Sequence, residues 1–173
     1  MRKLALLVAL LALVGLPASA QEFPKGEIFG GFSYARAGTE VNAYGWQVSI
    51  SENPHRKVGL TADFGGQYKG FGGVTASAYE FLFGPRYTAR GKDLTGFVHG
   101  LIGGATVRGT VGGRAQSADG FAMGFGGGVD ANVNENIAIR IIQADYIPTR
   151  IGGSWGHSFR LGAGVVIKIG RGS

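Results

Sequence analysis

The chain has 173 residues, of which 17 are Lys or Arg and 11 are Asp or Glu, and it contains no cysteine. That composition excludes disulfides, thiol catalysis and thiolate metal sites, and charges lying singly near turns instead of clustering on one face argue against nucleic-acid binding. The 33 glycines are spread through apolar segments, so neither a collagen-like repeat nor a flexible linker accounts for them.

The chain opens MRKLALLVALLALVGLPASAQ, with cations at Arg2 and Lys3, an apolar run from Leu4 to Leu16, and small residues at Ala18, Ser19 and Ala20. This is the pattern of a secretory signal peptide. It predicts residues 1–20 as a leader cut after Ala20 and residues 21–173 as one domain, with the formal charge falling from +6 to +4 once Arg2 and Lys3 are gone. The apolar run is short of the roughly 20 residues that a helical span needs, and no later run reaches that length.

Eight segments with strand character follow, at 27–36, 43–50, 57–68, 76–87, 94–106, 120–130, 137–148 and 157–169. Most exceed the five or six residues typical of globular sheets and suit tilted strands crossing a bilayer. The second opposes Tyr44, Trp46, Val48 and Ile50 to Ala43, Gly45, Gln47 and Ser49. The third sets Val58, Leu60, Ala62, Phe64 and Tyr68 against Gly59, Thr61, Asp63, Gly65 and Gln67. The fourth sets Tyr79, Phe81, Phe83 and Tyr87 against Glu80, Gly84 and Arg86.

The fifth, LTGFVHGLIGGAT, alternates equally well with Phe97, His99 and Leu101 on either face. The sixth opposes Phe121, Met123, Phe125 and Val129 to Ala122, Gly124, Gly126, Gly128 and Asp130. The seventh groups Ile137, Ile139 and Ile141, but the same register would carry Gln143 and Asp145 into lipid, so a bulge or the end of the lipid zone is expected near Gln143. The eighth opposes Phe159, Leu161, Ala163, Val165, Ile167 and Ile169 to Ser158, Arg160, Gly162, Gly164 and Lys168.

In each clear case one face is bulky and apolar while the other is Gly or Ala broken by single charges. A lipid-facing barrel has this polarity. A soluble lipocalin-like barrel, the alternative, would have to bury Phe81, Phe83, Phe121 and Phe125 while exposing Gly124, Gly126 and Gly128. The predicted fold is therefore all-β, an eight-stranded antiparallel up-and-down transmembrane β-barrel, with a bore narrow enough for side chains to fill. Tyr34, Tyr44, Trp46, Tyr68, Tyr79, Tyr87, Tyr146 and Trp155 fall near segment ends, as for an aromatic belt at each interface. With a periplasmic N-terminus, 51–56, 88–93 and 131–136 form short inner turns, while 37–42, 69–75, 107–119 and 149–156 form longer, glycine-rich outer loops. The stretch 107–119 is the largest candidate contact surface.

The inward phase collects Asp63, Glu80, Arg86, Asp130, Arg160, Lys168 and, with its strand, Arg140. Charges of both signs in a bore must pair or be hydrated, because isolated burial costs several kcal/mol per ion. The expected arrangement is a charge network of Glu80, Arg86, Arg140 and Arg160, with Glu80 linked to Arg140 or Arg160, plugging the lumen; a selectivity element of a narrow pore is the alternative.

The candidates for chemistry are weak. His157 and Ser158 are adjacent on a strand and point to opposite faces, so they cannot form a base and nucleophile pair. His55 lies in a turn, and His99 receives no role. GFGGGV and GLIGGA lack the lysine and the strand-turn-helix context of a nucleotide loop. No catalytic, cofactor or metal residue is assigned.

The opening strand EIFGGFSYAR, the central YEFLFGPRYTAR with FVHGLIGGATVR, and GFAMGFGGGVDANVNENIAIRIIQADYIPTR leading to FRLGAGVVIKIG together resemble the small eight-stranded outer-membrane barrels, the type of the OmpA transmembrane domain and OmpX. The resemblance spans residues 26–170. It implies residence in the outer membrane of a Gram-negative envelope, contact with outer-membrane lipid, insertion by the barrel assembly machinery, and a monomer. Such barrels usually finish on a terminal aromatic, whereas this chain has Ile169 there, followed by a short polar tail. The cell-wall tethering of longer relatives, which depends on a peptidoglycan-binding domain, is not expected from the resemblance. The functional expectation is an integral outer-membrane barrel with a structural or surface-interaction role, without a cofactor and not an enzyme. A small porin-like channel or conduit for small or apolar molecules is the second reading, and a lipid-modifying barrel enzyme the third.

Overall fold

The computed structural model describes residues 23–38, 41–71, 74–111 and 114–172; the expected leader lies outside them. Eight antiparallel strands follow in order: β1 (Gly26–Ala37), β2 (Val41–Glu52), β3 (Val58–Phe71), β4 (Val74–Arg90), β5 (Leu94–Val111), β6 (Arg114–Asn132), β7 (Ile137–Ile151) and β8 (Ser154–Ile169). Each pairs with its neighbour in sequence, and β1 pairs with β8 from Gly26↔Ile169 to Ala37↔Ser158, which closes the barrel. Along the span that β1 and β8 share, closure removes the free edges that would otherwise seek partners.

Period-two alternation decides which side chains face out. Ile28, Phe32, Trp46, Ile50, Phe81 and Phe125 are exposed on the outer wall, as are Phe159, Val165 and Ile167. Phe83 and Phe121 are also exposed and Gly124 is buried, the polarity opposite to that of a soluble barrel. β5, ambiguous in sequence, turns Phe97, His99 and Leu101 into the lumen, where all three are buried. On β7 the pairing with β6 shifts between Val129↔Ile142 and Asp130↔Arg140, and the pairing with β8 shifts between Arg140 and Gln143. Ile141 and Ile142 are therefore both exposed. This β-bulge resets the phase so that Gln143 and Asp145 point inward.

Two proline positions would ordinarily argue against a paired strand, since proline cannot donate to a ladder. The ladder accommodates each on one flank. Beside Pro85, β4–β5 pairing lapses between Phe83↔Ile102 and Arg86↔His99; beside Pro148, β6–β7 pairing lapses between Ala122↔Thr149 and Phe125↔Tyr146. The register is the same on both sides of each lapse.

The strands run further than expected at the end opposite the termini. Most of 107–119 is strand, not loop: β5 and β6 pair up to Val111↔Arg114, and β3 and β4 up to Phe71↔Val74. The segments lack an apolar face but pair with each other along the backbone, which needs no lipid. β2–β3 pairing stops at Tyr44↔Tyr68 and β6–β7 pairing at Gly120↔Ile151. Beyond that rim, β3, β4, β5 and β6 continue as a four-stranded extension. The return from β7 to β8 is a tight turn through Gly152 and Gly153 at φ 59° and 84°, the left-handed region where glycine carries no steric cost. The inner turns, 53–57, 91–93 and 133–136, lie close to their expected places.

The aromatic residues form one belt instead of two. Tyr34 and Tyr44 pack with ring centroids 5.4 Å apart, Tyr68 and Tyr79 at 5.9 Å, and Tyr146 and Phe159 at 5.2 Å. Trp46 Nε1 donates to the Tyr68 hydroxyl at 3.1 Å. All of these lie toward the extension. Of the expected set, Tyr87 alone lies toward the termini, where it pairs with Val58 and Val98.

Candidate functional site

The lumen is where the sequence places its charges, and all eight strands contribute polar side chains to it. The centre is Arg160 on β8, 1% exposed. Its Nη2 donates to Asp63 Oδ1 at 2.7 Å and to Asp145 Oδ2 at 2.8 Å, and its Nη1 donates to Glu80 Oε2 at 3.0 Å. Three carboxylates from β3, β4 and β7 thus meet one guanidinium, whose rigid fork of donors suits multiple acceptors. A small residue on β3, opposite Glu80 in the ladder, makes this possible: a Cβ at Gly65 would lie 2.8 Å from Arg160 Nη1 and 3.1 Å from Glu80 Oε2.

The bonds continue outward from this centre. Gln47 donates to Asp63 at 2.6 Å, and His99 Nε2 lies 2.9 Å from Asp145 Oδ1. Gln143 donates to Asp145 at 2.8 Å and accepts from Arg140 Nη1 at 2.7 Å. Arg140 grips Asp130 with two bonds of 2.8 and 3.1 Å. Arg140 therefore does not reach Glu80, which belongs to Arg160. Arg86 Nη1 lies 2.9 Å from Glu27 Oε2, its Nη2 lies 3.8 Å from Asp130 Oδ2, and Arg90 closes on Glu27 at 2.7 Å. The guanidinium of Arg86 stacks 4.1 Å over Phe97, and that of Arg140 lies 4.3 Å from Phe97 and 4.2 Å from Phe29. Such contacts replace part of the lost hydration.

Apolar side chains fill the remaining space. Leu82, Leu101, Ala105 and Ala122 cluster along β4–β6, and Phe29, Ala138 and Val166 along β1, β7 and β8. The glycines of β6 leave room for them. A Cβ at Gly124 would meet Leu82 Cδ1 at 2.9 Å, and one at Gly128 would meet the Phe97 ring at 2.9 Å.

Several participants, Gln143 among them, escaped the sequence reading. Glu27 and Arg90 lie at the ends of their strands, where alternation carries little signal. Asp145 was obscured by the bulge, for which the adjacent pair Ile141 and Ile142 is the visible sign. His99 lay on the strand that fitted either face.

At the end carrying the termini the lumen opens into a cup of about 950 Å³. Glu27, Arg90, Asp130 and Lys168 line its interior, and the 133–136 turn and Lys92 its rim. Lys168 Nζ donates to Asn132 Oδ1 at 2.7 Å. Arg86 Nε and Nη2 are buried without a hydrogen-bond partner. Phe23 bridges to Gly172 and holds the segments flanking β1 and β8 together beside the cup.

The hydroxyl and imidazole pair offers no catalytic geometry. His157 Nδ1 lies 2.6 Å from the Tyr146 hydroxyl on the outer wall, whereas Ser158 Oγ donates to the Ile147 carbonyl.

Known structures with this architecture are similar over most of the chain. Neisserial surface protein A matches with a TM-score of 0.68 at 15% identity, over 84% of this chain and 97% of that one. Ail, the attachment invasion locus protein of Yersinia pestis, matches with a TM-score of 0.59 at 17% identity, over 84% and 99%. The N-terminal β-barrel domain of Pseudomonas aeruginosa OprF matches with a TM-score of 0.56 at 15% identity, over 85% and 100%. No protein-family model matches the chain, and no curated protein sequence does either.

Proposed function

We propose that this chain, which has the fold of the small eight-stranded outer-membrane barrels, is itself an integral outer-membrane protein with a sealed lumen and a structural and surface-interaction role. It is neither a channel nor an enzyme. The apolar outer wall supports the location: in water it would be an exposed patch far beyond the few hundred Å² that soluble monomers tolerate, and lipid is the medium that covers it. Export with cleavage after Ala20 belongs to the same reading. Protein recovered from the outer-membrane fraction then has Gln21 as its first residue by mass spectrometry.

The observation that carries the sealed state is the Arg160 knot, where one guanidinium ties β8 to Asp63, Glu80 and Asp145 across the bore. In planar bilayers the wild-type protein is expected to give no steady conductance, and Arg160→Ala is expected to introduce openings. Steady conductance from the wild type would overturn the plug in favour of a small pore.

The surface role is supported by the extension of β3–β6. On its outer flank β6 has no paired neighbour among the described residues from Arg114 to Asp119, and an unpaired edge is a template for strand addition. Trimming the β5–β6 tip back to the rim is expected to leave the barrel folded and to abolish binding of cells to an extracellular partner. Unchanged lipid A acylation in cells overproducing the protein separates this reading from that of a lipid-modifying enzyme.

A further inference from the structure

We infer that the outer wall of β7, β8 and β1 at the extension end is a docking surface for the phosphate groups of an anionic lipid in the leaflet on that side. The inference rests on the outer-membrane reading, which fractionation tests separately, and adds to it a headgroup site with named residues. The first observation is that the cations of the outer wall lie at one end. Arg36 on β1, Arg108 on β5 and Arg150 on β7 are all exposed. Arg36 pairs with the outward Phe159, Arg150 pairs with the outward Phe121, and Arg108 keeps the phase of the outward Ile102. All three strands run from the termini end toward the extension, and on each the arginine comes after the apolar residues of the outer face.

The opposing charge is small. Among the described strand residues the outward acid at this end is Asp119, which already accepts a hydrogen bond from Thr106 at 2.6 Å. At the termini end the described strands turn no Lys or Arg outward, whereas Glu52, opposite the outward Leu60, is exposed there. Charges that served solubility alone would be mixed in sign and present at both rims.

The second observation is independent of the first: the single aromatic belt lies at the same end, and two of these arginines rest on it. The guanidinium of Arg150 lies 6.0 Å from the centre of the Trp155 ring, and that of Arg108 lies 5.7 Å from the centre of Tyr79. Stacked in this way a guanidinium keeps its charge and its fork of N–H donors, which matches phosphate geometry. Along β8, Arg36 stands opposite Phe159 and Arg150 opposite Trp155, with His157 between them. His157 stacks on Tyr146 within 5° of parallel, its Nδ1 2.6 Å from the phenol oxygen. Tyr and Trp settle at the headgroup level of a bilayer. Arg36 and Arg150, further out on the same wall, then lie among the phosphates, where basic side chains are attracted to an anionic surface.

The test is native mass spectrometry of the refolded full-length barrel in non-ionic micelles over a series of lipid mole fractions. The probes are diphosphoryl lipid A, monophosphoryl lipid A, which has one phosphate fewer, and phosphatidylcholine. Saturable binding of the diphosphoryl form is expected, weaker for the monophosphoryl form and absent for phosphatidylcholine. Arg36→Gln and Arg150→Gln should each weaken it about fivefold. Lys57→Gln, a change at the termini end, should leave it unaltered. In a Trp46→Phe background Trp155 is the one tryptophan left, and its emission should shift as the lipid saturates. Retention of the unboiled gel mobility shows that the variants are folded. Absence of saturable binding, equal binding of the two lipid A forms or of phosphatidylcholine, unaltered Trp155 emission at saturation, or equal weakening by Lys57→Gln overturns the site.

Discussion

Arg160 shows how much a single side chain can organise. With four donor contacts to three carboxylates, it neutralises groups that could not otherwise share a dry bore. Arg160→Met keeps much of the volume and removes the charge, so Asp63, Glu80 and Asp145 are left facing one another. Removal of one partner from a buried pair costs about 3–5 kcal/mol. A fall of that size is expected in urea unfolding followed by tryptophan fluorescence in micelles. Glu80→Gln keeps a hydrogen-bond acceptor toward Arg160 and removes one of the mutually repelling charges, so its loss should be smaller, about 1 kcal/mol. On the outer wall, Trp46 lies over Gly66, where a Cβ would come within 2.7 Å of the indole. In a Trp155→Phe background, Gly66→Ala should lift the ring from the wall and shift its emission; unchanged emission would contradict the packing.

At the scale of the element, β7 is the strand on which local rules and tertiary structure part. Its bulge is one extra residue, so deleting Ile142 gives strict alternation with Arg140 and Gln143 both still inward. The deletion variant is expected to keep the compact unboiled gel mobility of the wild type. Loss of that mobility would mean that the bulge serves the barrel's twist and not only its phase. Ile141→Arg places a charge on the lipid face near mid-wall and should cost about 2–4 kcal/mol, whereas Ser117→Arg on the exposed extension should cost almost nothing. The extension of β5 and β6 was invisible to an alternation criterion because 107–119 has no apolar face. Its strands exist because backbone pairs with backbone, and Thr106 donates to Asp119 across them at 2.6 Å.

For the whole molecule the outer wall and the lumen make opposite demands, since apolar groups must face lipid while charges are closed into the middle. Refolding should therefore require micelles, and the unboiled form should run faster than the boiled one. Solubility in plain buffer with unaltered mobility would contradict the outward facing of Phe81 and Phe125. Alternation in β2, β3, β4, β6 and β8 determined fold class, strand number and the inward position of Glu80, Arg86 and Arg160, because a period of two is a property of consecutive residues alone. The partners were legible only as a choice, Arg140 or Arg160 for Glu80, of which the structure takes Arg160. Arg160 and Asp63 are 97 positions apart, and which carboxylate an arginine meets depends on strand tilt, register and closure of β1 on β8. The same holds for the facing of β5, where both phases were equally apolar and only its neighbours chose. It holds too for the cup, which exists because eight strand ends meet in a ring.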